Sequence, residues 1–287
     1  RQPACTPHHS AQLVGLGQKS TPEAAAFING TSGTFLEMDE GNRFSRGHPA
    51  IHVIPAALAL SQERTVTAEN FLAGMVVGYE VGSRLGAASQ LRGAMHPHGT
   101  WGTLGAAAAC GRVAGLDDND MRQTINISAS LTTATSKQTM LEGGLVRNVY
   151  AGMSNRNGLL ALNLVECGFN GERDGPSSLL GKIISESFQT EAVTQGLGHD
   201  WHLMRNYFKL HSCCRYNHGT LDAIDLMAAA QRLPQVSDIE RIEVVTYHLA
   251  AELNDPAPNN TLAAKFSVPF AVATRILNQS SALSSFT

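Results

Sequence analysis

Charge is scarce in this chain: Asp, Glu, Lys and Arg make up 16% of its 287 residues and leave a formal net charge of −3. No two Lys or Arg residues adjoin. The basic runs that neutralise phosphate are therefore missing, and neither a nucleic acid nor an anionic membrane surface is an expected partner. Long apolar runs are missing too. The best stretch, 71–88, is interrupted by Glu80 and Arg84, which argues against a membrane span. Cysteine is sparse and unpaired in pattern: Cys5, Cys110, Cys167, Cys213 and Cys214 form no C-x-x-C motif. An odd, scattered set of thiols suits a reducing compartment better than a disulfide framework. The N-terminus has no signal-peptide pattern and does not begin with Met. A cytoplasmic protein is expected, with both ends reading as cut.

Ala, Gly and helical periodicity are what the chain does have. Thr67 is a candidate N-cap for a helix over 68–88, along which Gly74, Gly78, Gly82 and Gly86 recur every four residues. That spacing drifts by about 40° per step, so the glycines form one stripe. Each glycine inside a helix costs about 1 kcal/mol against alanine, so the stripe predicts close approach of another backbone. The natural partner is the small-residue helix over 100–114, ending at Gly115 as a C′ residue. Further helices are expected at 118–136, 150–167 and 217–231. In "DIERIEVVTYH" the alternation of Ile242, Val244 and Thr246 with Glu243 and Val245 instead predicts a strand. The change of period places a boundary between about 200 and 238, from a helical to a mixed α/β domain.

Four clusters hold polar residues that a plain helical core does not need. In "FLEMDEGNRFSRGHPAIH" Glu37, Asp39 and Glu40 precede a turn, and His48 stands before Pro49; in "MHPHGTWGT" His96 stands before Pro97. Proline favours the first helical turn, so both imidazoles are expected at or beside helix N-termini. There the positive dipole end attracts anions and disfavours imidazolium. In "GGLVRNVYAGMSNRNG", Arg147 and Arg156 offer guanidinium groups for a carboxylate, or are ordinary surface arginines. In "NYFKLHSCCRYNHG", Lys209, His211, Cys213, Cys214, Arg215 and His218 crowd together, but their spacing matches no zinc pattern.

These segments, with "GYEVGSRLG" and "AKFSVPFAVATRIL", follow one another in the order and spacing of the MmgE/PrpD family, which this chain resembles from about Asn29 to its end. The resemblance implies a mainly α protein: a large all-helical domain, taken as 1–204, and a smaller α/β lid, taken as 205–287 and incomplete, with an active site in the cleft. It further implies a homodimer acting on a small polycarboxylate, with no cofactor and no metal. His48 and His96 correspond to motif histidines that line the site, Asp39 to its acidic segment and Lys209 to a lysine facing substrate carboxylate. Arg147, Cys214 and Arg215 complete the expected substrate-binding set. Three departures from the decarboxylating members stand out: Arg147 replaces a lysine, Cys214 a histidine and Phe270 a tyrosine. The expected reaction is therefore dehydration of a hydroxy-polycarboxylate, with His48 and His96 as base and acid. Epimerisation through the same carbanion, or an inactive helical fragment, is the alternative.

Overall fold

The structure is a computed structural model that describes residues 9–286. The described chain is mainly α-helical. Its helices are α1 (Pro22–Leu36), α2 (Pro49–Glu63), α3 (Ala68–Ala88), α4 (Trp101–Ala114), α5 (Asp118–Ser130), α6 (Lys137–Leu141), α7 (Val149–Glu166), α8 (Gly175–Ser178), α9 (Thr190–Thr194), α10 (Arg215–Ala229), α11 (His248–Ala251), α12 (Thr261–Lys265) and α13 (Val268–Asn278). The described strands form three two-stranded antiparallel ribbons: β1 (Ala11–Leu13) with β2 (Gln18–Ser20), β3 (Gly41–Asn42) with β6 (Asn206–Tyr207), and β4 (Ser89–Leu91) with β5 (Ser185–Phe188). Two compact units emerge. Among the described residues the first comprises 9–34, 39–136 and 148–207; the second comprises 35–38, 137–147 and 208–286.

In the first unit α4 is the central rod, packed by α2, α3, α5 and α7. A helix apolar on every side must be enclosed, and Ala106, Ala107, Ala108 and Ala109 are indeed fully buried. Thr67 caps α3 by accepting from the Asn70 N–H, and Gly115 closes α4 in the left-handed conformation. The glycine stripe meets α4 as expected. A Cβ on Gly78 would stand 2.7 Å from the Gly105 carbonyl oxygen, and one on Gly105 would stand 2.7 Å from the Gly78 carbonyl oxygen. Each glycine thus exists for the other's backbone.

Pro55 lies inside α2 and has no N–H to give the Ile51 carbonyl. Asn155 on α7 repairs the gap: its Nδ2 donates to Ile51 O at 2.8 Å, and its Oδ1 accepts from the Ala56 N–H at 2.9 Å. One amide side chain therefore ties α2, whose N-cap is His48, to α7.

The second unit has its own core, built from Met140, Cys213, Leu221, Leu262, Phe266, Val272 and Ile276 among others. Two sequence expectations change here and in α5. Helix α5 stops at Ser130 rather than continuing to 136, because the run Leu131-Thr132-Thr133 carries two β-branched residues and Thr133 N–H bonds back to Gly99 O instead of to the helix. The stretch 240–246 forms no regular strand. Alternation favours an extended chain, but a strand also needs a ladder partner, and Val245 is left 91% exposed.

Candidate functional site

A chain of imidazoles gathers in the first unit. His98 is fully buried, and its ring meets three others nearly edge-on: His52 at 4.7 Å, His96 at 4.8 Å and His48 at 5.3 Å between centroids. Local chemistry fixes each ring. His48 is the N-cap of α2, ahead of Pro49, as its sequence position predicts. Its Nδ1 lies 2.5 Å from the Glu40 carbonyl oxygen and 3.7 Å from Asp39 Oδ2. Only a protonated nitrogen can approach a carbonyl so closely, so neutral His48 carries its proton on Nδ1 and its lone pair on Nε2. The Asp39 side chain is 2% exposed. Glu40 turns its carboxylate the other way: Oε2 accepts from the Ala50 N–H at 3.0 Å, satisfying an open donor of the α2 N-terminus.

His96 departs from expectation. It does not precede a helix directly, because α4 begins only at Trp101. Pro97, His98 and Gly99 form a turn, with Gly99 at φ +92°, a region that suits glycine. Thr135 pins that turn: the His96 N–H donates to Thr135 O at 2.8 Å, and Thr135 Oγ1 donates to His98 O at 2.6 Å. The His98 N–H donates to His96 Nδ1 at 3.1 Å. An accepting Nδ1 places the proton of neutral His96 on Nε2. The two histidines therefore hold opposite tautomers, with a lone pair at Nε2 of His48 and an N–H at Nε2 of His96. Beside this cluster, burial and then the charge of Glu40 push the Tyr79 hydroxyl far above the usual phenol range, so it remains protonated.

The second unit holds a buried charge group. Glu37 accepts from Arg147 on Oε1 and from Lys209 on Oε2, the latter at 2.8 Å. Glu37 itself stands at φ +52°, unusual for a residue with a side chain. Arg147 leaves a turn that begins at Gly143 and Gly144, and its guanidinium also covers the Phe266 ring at 5.0 Å. Nearby in the same unit, Lys265 donates to Phe35 O at 2.7 Å. Its desolvation lowers the ammonium below the usual lysine range, partly countered by Glu37. Arg147 and Lys209 were expected to hold a substrate carboxylate; here they hold a carboxylate of the chain.

The remaining candidates fall elsewhere. Cys214 is the buried N-cap of α10, and burial pushes its thiol up to about 11. Cys213 is raised further, also by burial. His211 lies between Ser281 Oγ at 2.5 Å and Asp222 Oδ1 at 3.0 Å, and burial lowers its neighbour His218 to about 4. Arg156 is exposed. Arg215 is exposed too and lines a cavity of about 1200 Å³ walled by Tyr216, Ile224, Met227, Val272 and Ile276. None of His48, His96, Arg147 or Lys209 lines that cavity. Sequence reasoning passed over His52 and His98, although signals existed: His52 follows His48 by four residues, one helical turn, and His98 follows His96 across a proline. It also assigned Glu37, one of three nearby acids, no role of its own.

The model for the MmgE/PrpD N-terminal domain matches residues 2–178, and that for the MmgE/PrpD C-terminal domain matches residues 211–287. The chain belongs to the MmgE/PrpD family. Cis-aconitate decarboxylase of Aspergillus terreus is 27% identical over 306 residues, covering 98% of this chain and 62% of that protein. Cis-aconitate decarboxylase-like protein oryM of Aspergillus oryzae is 26% identical over 262 residues, covering 83% of this chain and 54% of that protein. The chain thus spans less than two thirds of the length of these relatives. Among the described residues no helix is long and apolar enough to cross a membrane.

Proposed function

We propose that this MmgE/PrpD member is a cofactor-independent lyase that dehydrates a small hydroxy-polycarboxylate of the 2-methylcitrate type. The observation that carries the reading is the tautomer pair. His48, braced through Nδ1 by the Glu40 carbonyl with Asp39 beside it, offers a lone pair on Nε2 that suits removal of a proton next to a carboxylate. His96, whose Nδ1 is engaged, offers an N–H that suits the developing negative charge. The proton leaves carbon for His48, the carbon–oxygen bond breaks, and the imidazolium returns the proton to the departing hydroxyl, so one water is lost and nothing is oxidised. Without an electron sink the substrate must supply its own stabilising carboxylates. Lys209 and Arg147 are the proposed carboxylate-binding residues, kept in position by Glu37.

A second reading, decarboxylation, is favoured by the names of the relatives. It is weakened by Arg147, Cys214 and Phe270 where decarboxylating members carry lysine, histidine and tyrosine. Incubation of the protein with 2-methylcitrate and with cis-aconitate in D₂O, followed by ¹H NMR, separates the two. Dehydration yields an unsaturated tricarboxylate and exchanges the α-proton; decarboxylation yields an unsaturated dicarboxylate and CO₂. Absence of both turnover and α-proton exchange across a panel of hydroxy-tricarboxylates sinks the lyase reading.

A further inference from the structure

Tyr150 lies in the first turn of α7, beside His96, and the proposed proton transfers give its hydroxyl no task. The two rings meet edge-to-face, at 64° with centroids 5.8 Å apart. We propose that Tyr150 is a specificity-determining residue of the lyase site, its phenol hydroxyl pairing with the hydroxyl of a hydroxy-acid substrate. This inference rests on the proposed function and adds to it the group that separates a hydroxy acid from its deoxy or dehydrated counterpart.

The place of the ring is fixed from several sides. Ser154, one helical turn after Tyr150 and on the same face, is tied to α4 by Thr103 Oγ1 at 3.1 Å. Gly152 lets α7 approach α1 so closely that an added Cβ would stand 2.5 Å from Phe27 O. Opposite the ring, the His96 N–H donates to Thr135 O at 2.8 Å. Phenylalanine would pack on His96 as well, so packing does not account for the hydroxyl. That hydroxyl bonds to no described residue and is not closed off from solvent. As both donor and acceptor it suits a substrate hydroxyl, which is also both, whereas an ionised carboxylate only accepts. Tyr150 also follows Arg147 by three residues. It is the neighbour of Arg147 along the chain and of His96 across the rings, the two groups to which the proposed function gives a carboxylate and the developing charge. Of the substrates weighed above, 2-methylcitrate carries a hydroxyl and cis-aconitate carries none. A site that pairs with a hydroxyl disfavours the analogue lacking it, because the protein group is then left unpaired.

The test reads binding without turnover. Citrate and tricarballylate (propane-1,2,3-tricarboxylate) differ by one hydroxyl. Calorimetry gives the affinity of each for the parent and for Tyr150→Phe, and circular dichroism checks the fold. The parent should bind citrate more tightly than tricarballylate. Tyr150→Phe should cut that preference by about three- to tenfold, the worth of one neutral hydrogen bond, while tricarballylate binds both proteins alike. Should Tyr150→Phe fail to fold, Tyr150→Leu decides by the same ratio. The role is overturned if the parent binds the two acids equally or binds neither, or if the variant keeps the parent's preference. A loss of the same size for both acids overturns it too, since that marks a packing defect. A hydroxyl preference that Tyr150→Phe removes, in a protein without lyase activity, sinks only the proposed reaction. Dehydration by Tyr150→Phe at the parent kcat and KM sinks only the role of Tyr150.

Discussion

Lys209 donates to Oε2 of Glu37 at 2.8 Å, and neither side chain is more than 1% exposed. Arg147, 2% exposed, shares the same carboxylate through Oε1. Desolvating three charges is costly, and removing one member leaves the rest without compensation from it, typically at about 3–5 kcal/mol. Glu37→Gln should therefore lower unfolding stability by that order in a urea titration. The exposed pair Arg241–Glu243 provides the contrast, and Arg241→Ala should change stability by less than about 1 kcal/mol. Equal effects would show that Glu37 is not the counter-charge of this unit.

The α3–α4 contact gives an opposed pair of outcomes. Alanine is favoured over glycine in helices by about 1 kcal/mol, yet a Cβ at Gly78 would meet Ala109 Cβ at 2.6 Å as well as Gly105 O. Gly78→Ala should thus destabilise by about 1–3 kcal/mol through overpacking. At Gly219, inside α10, an added Cβ would meet nothing within 4 Å, and Gly219→Ala should stabilise by up to about 1 kcal/mol. Thermal midpoints of the two variants moving in the same direction would contradict the packing argument.

Helices were legible wherever a cap, a glycine stripe or a long period marked them, so Thr67, Gly115 and the ends of α3 and α4 were readable from residue order. The His48 position followed from Pro49 in the same way. His96 did not, because a proline marks a first helical turn or any other turn equally well, and Gly99 and Thr135 decide between them from outside the motif. The Glu37 group was hidden for another reason. Its members are separated by 110 and 172 residues, and no local pattern encodes which of three nearby acids faces the cations. The 240–246 alternation is strand-like in composition, but pairing belongs to a partner and not to the segment.

Thiol reactivity should divide by burial. Cys167 is exposed, whereas Cys110, Cys213 and Cys214 are buried, and burial raises Cys110 to about 12 and Cys214 to about 11. Alkylation by iodoacetamide at about pH 8, mapped by peptide mass, should label Cys167 while Cys213 and Cys214 remain thiols until denaturant is added, since the thiolate is the reacting species. Early labelling of Cys214 would restore it as a candidate reactive group.

Acid should weaken the second unit through His218, whose burial lowers it to about 4 from an ordinary 6.5. Between those values the unfolded chain binds a proton that the folded chain refuses, so stability rises with pH across that window and falls as the solution is acidified through it. Above pH 6.5 the group has no further effect. The slope is at most about 1.4 kcal/mol per pH unit. Unfolding of His218→Gln should show a shallower pH dependence than the parent between about 4 and 6.5; identical slopes would remove His218 as the cause.

The last expectation concerns the division of labour between His48 and His96. If His48 Nε2 removes the proton, His48→Gln should abolish α-proton exchange into D₂O, at a cost of about 10²–10⁴-fold in turnover. His96 plays a different part, since its Nδ1 accepts from the His98 N–H and its Nε2–H is the donor. His96→Ala removes that donor and should cost about 10²–10³-fold. His96→Gln returns an N–H donor without a base and should recover part of the loss. That recovery separates donation from basicity, because a glutamine cannot replace a base at either position. A His48→Gln variant that still exchanges the α-proton at the parent rate would assign the base elsewhere. A His96→Gln variant no better than His96→Ala would remove the donor role from His96.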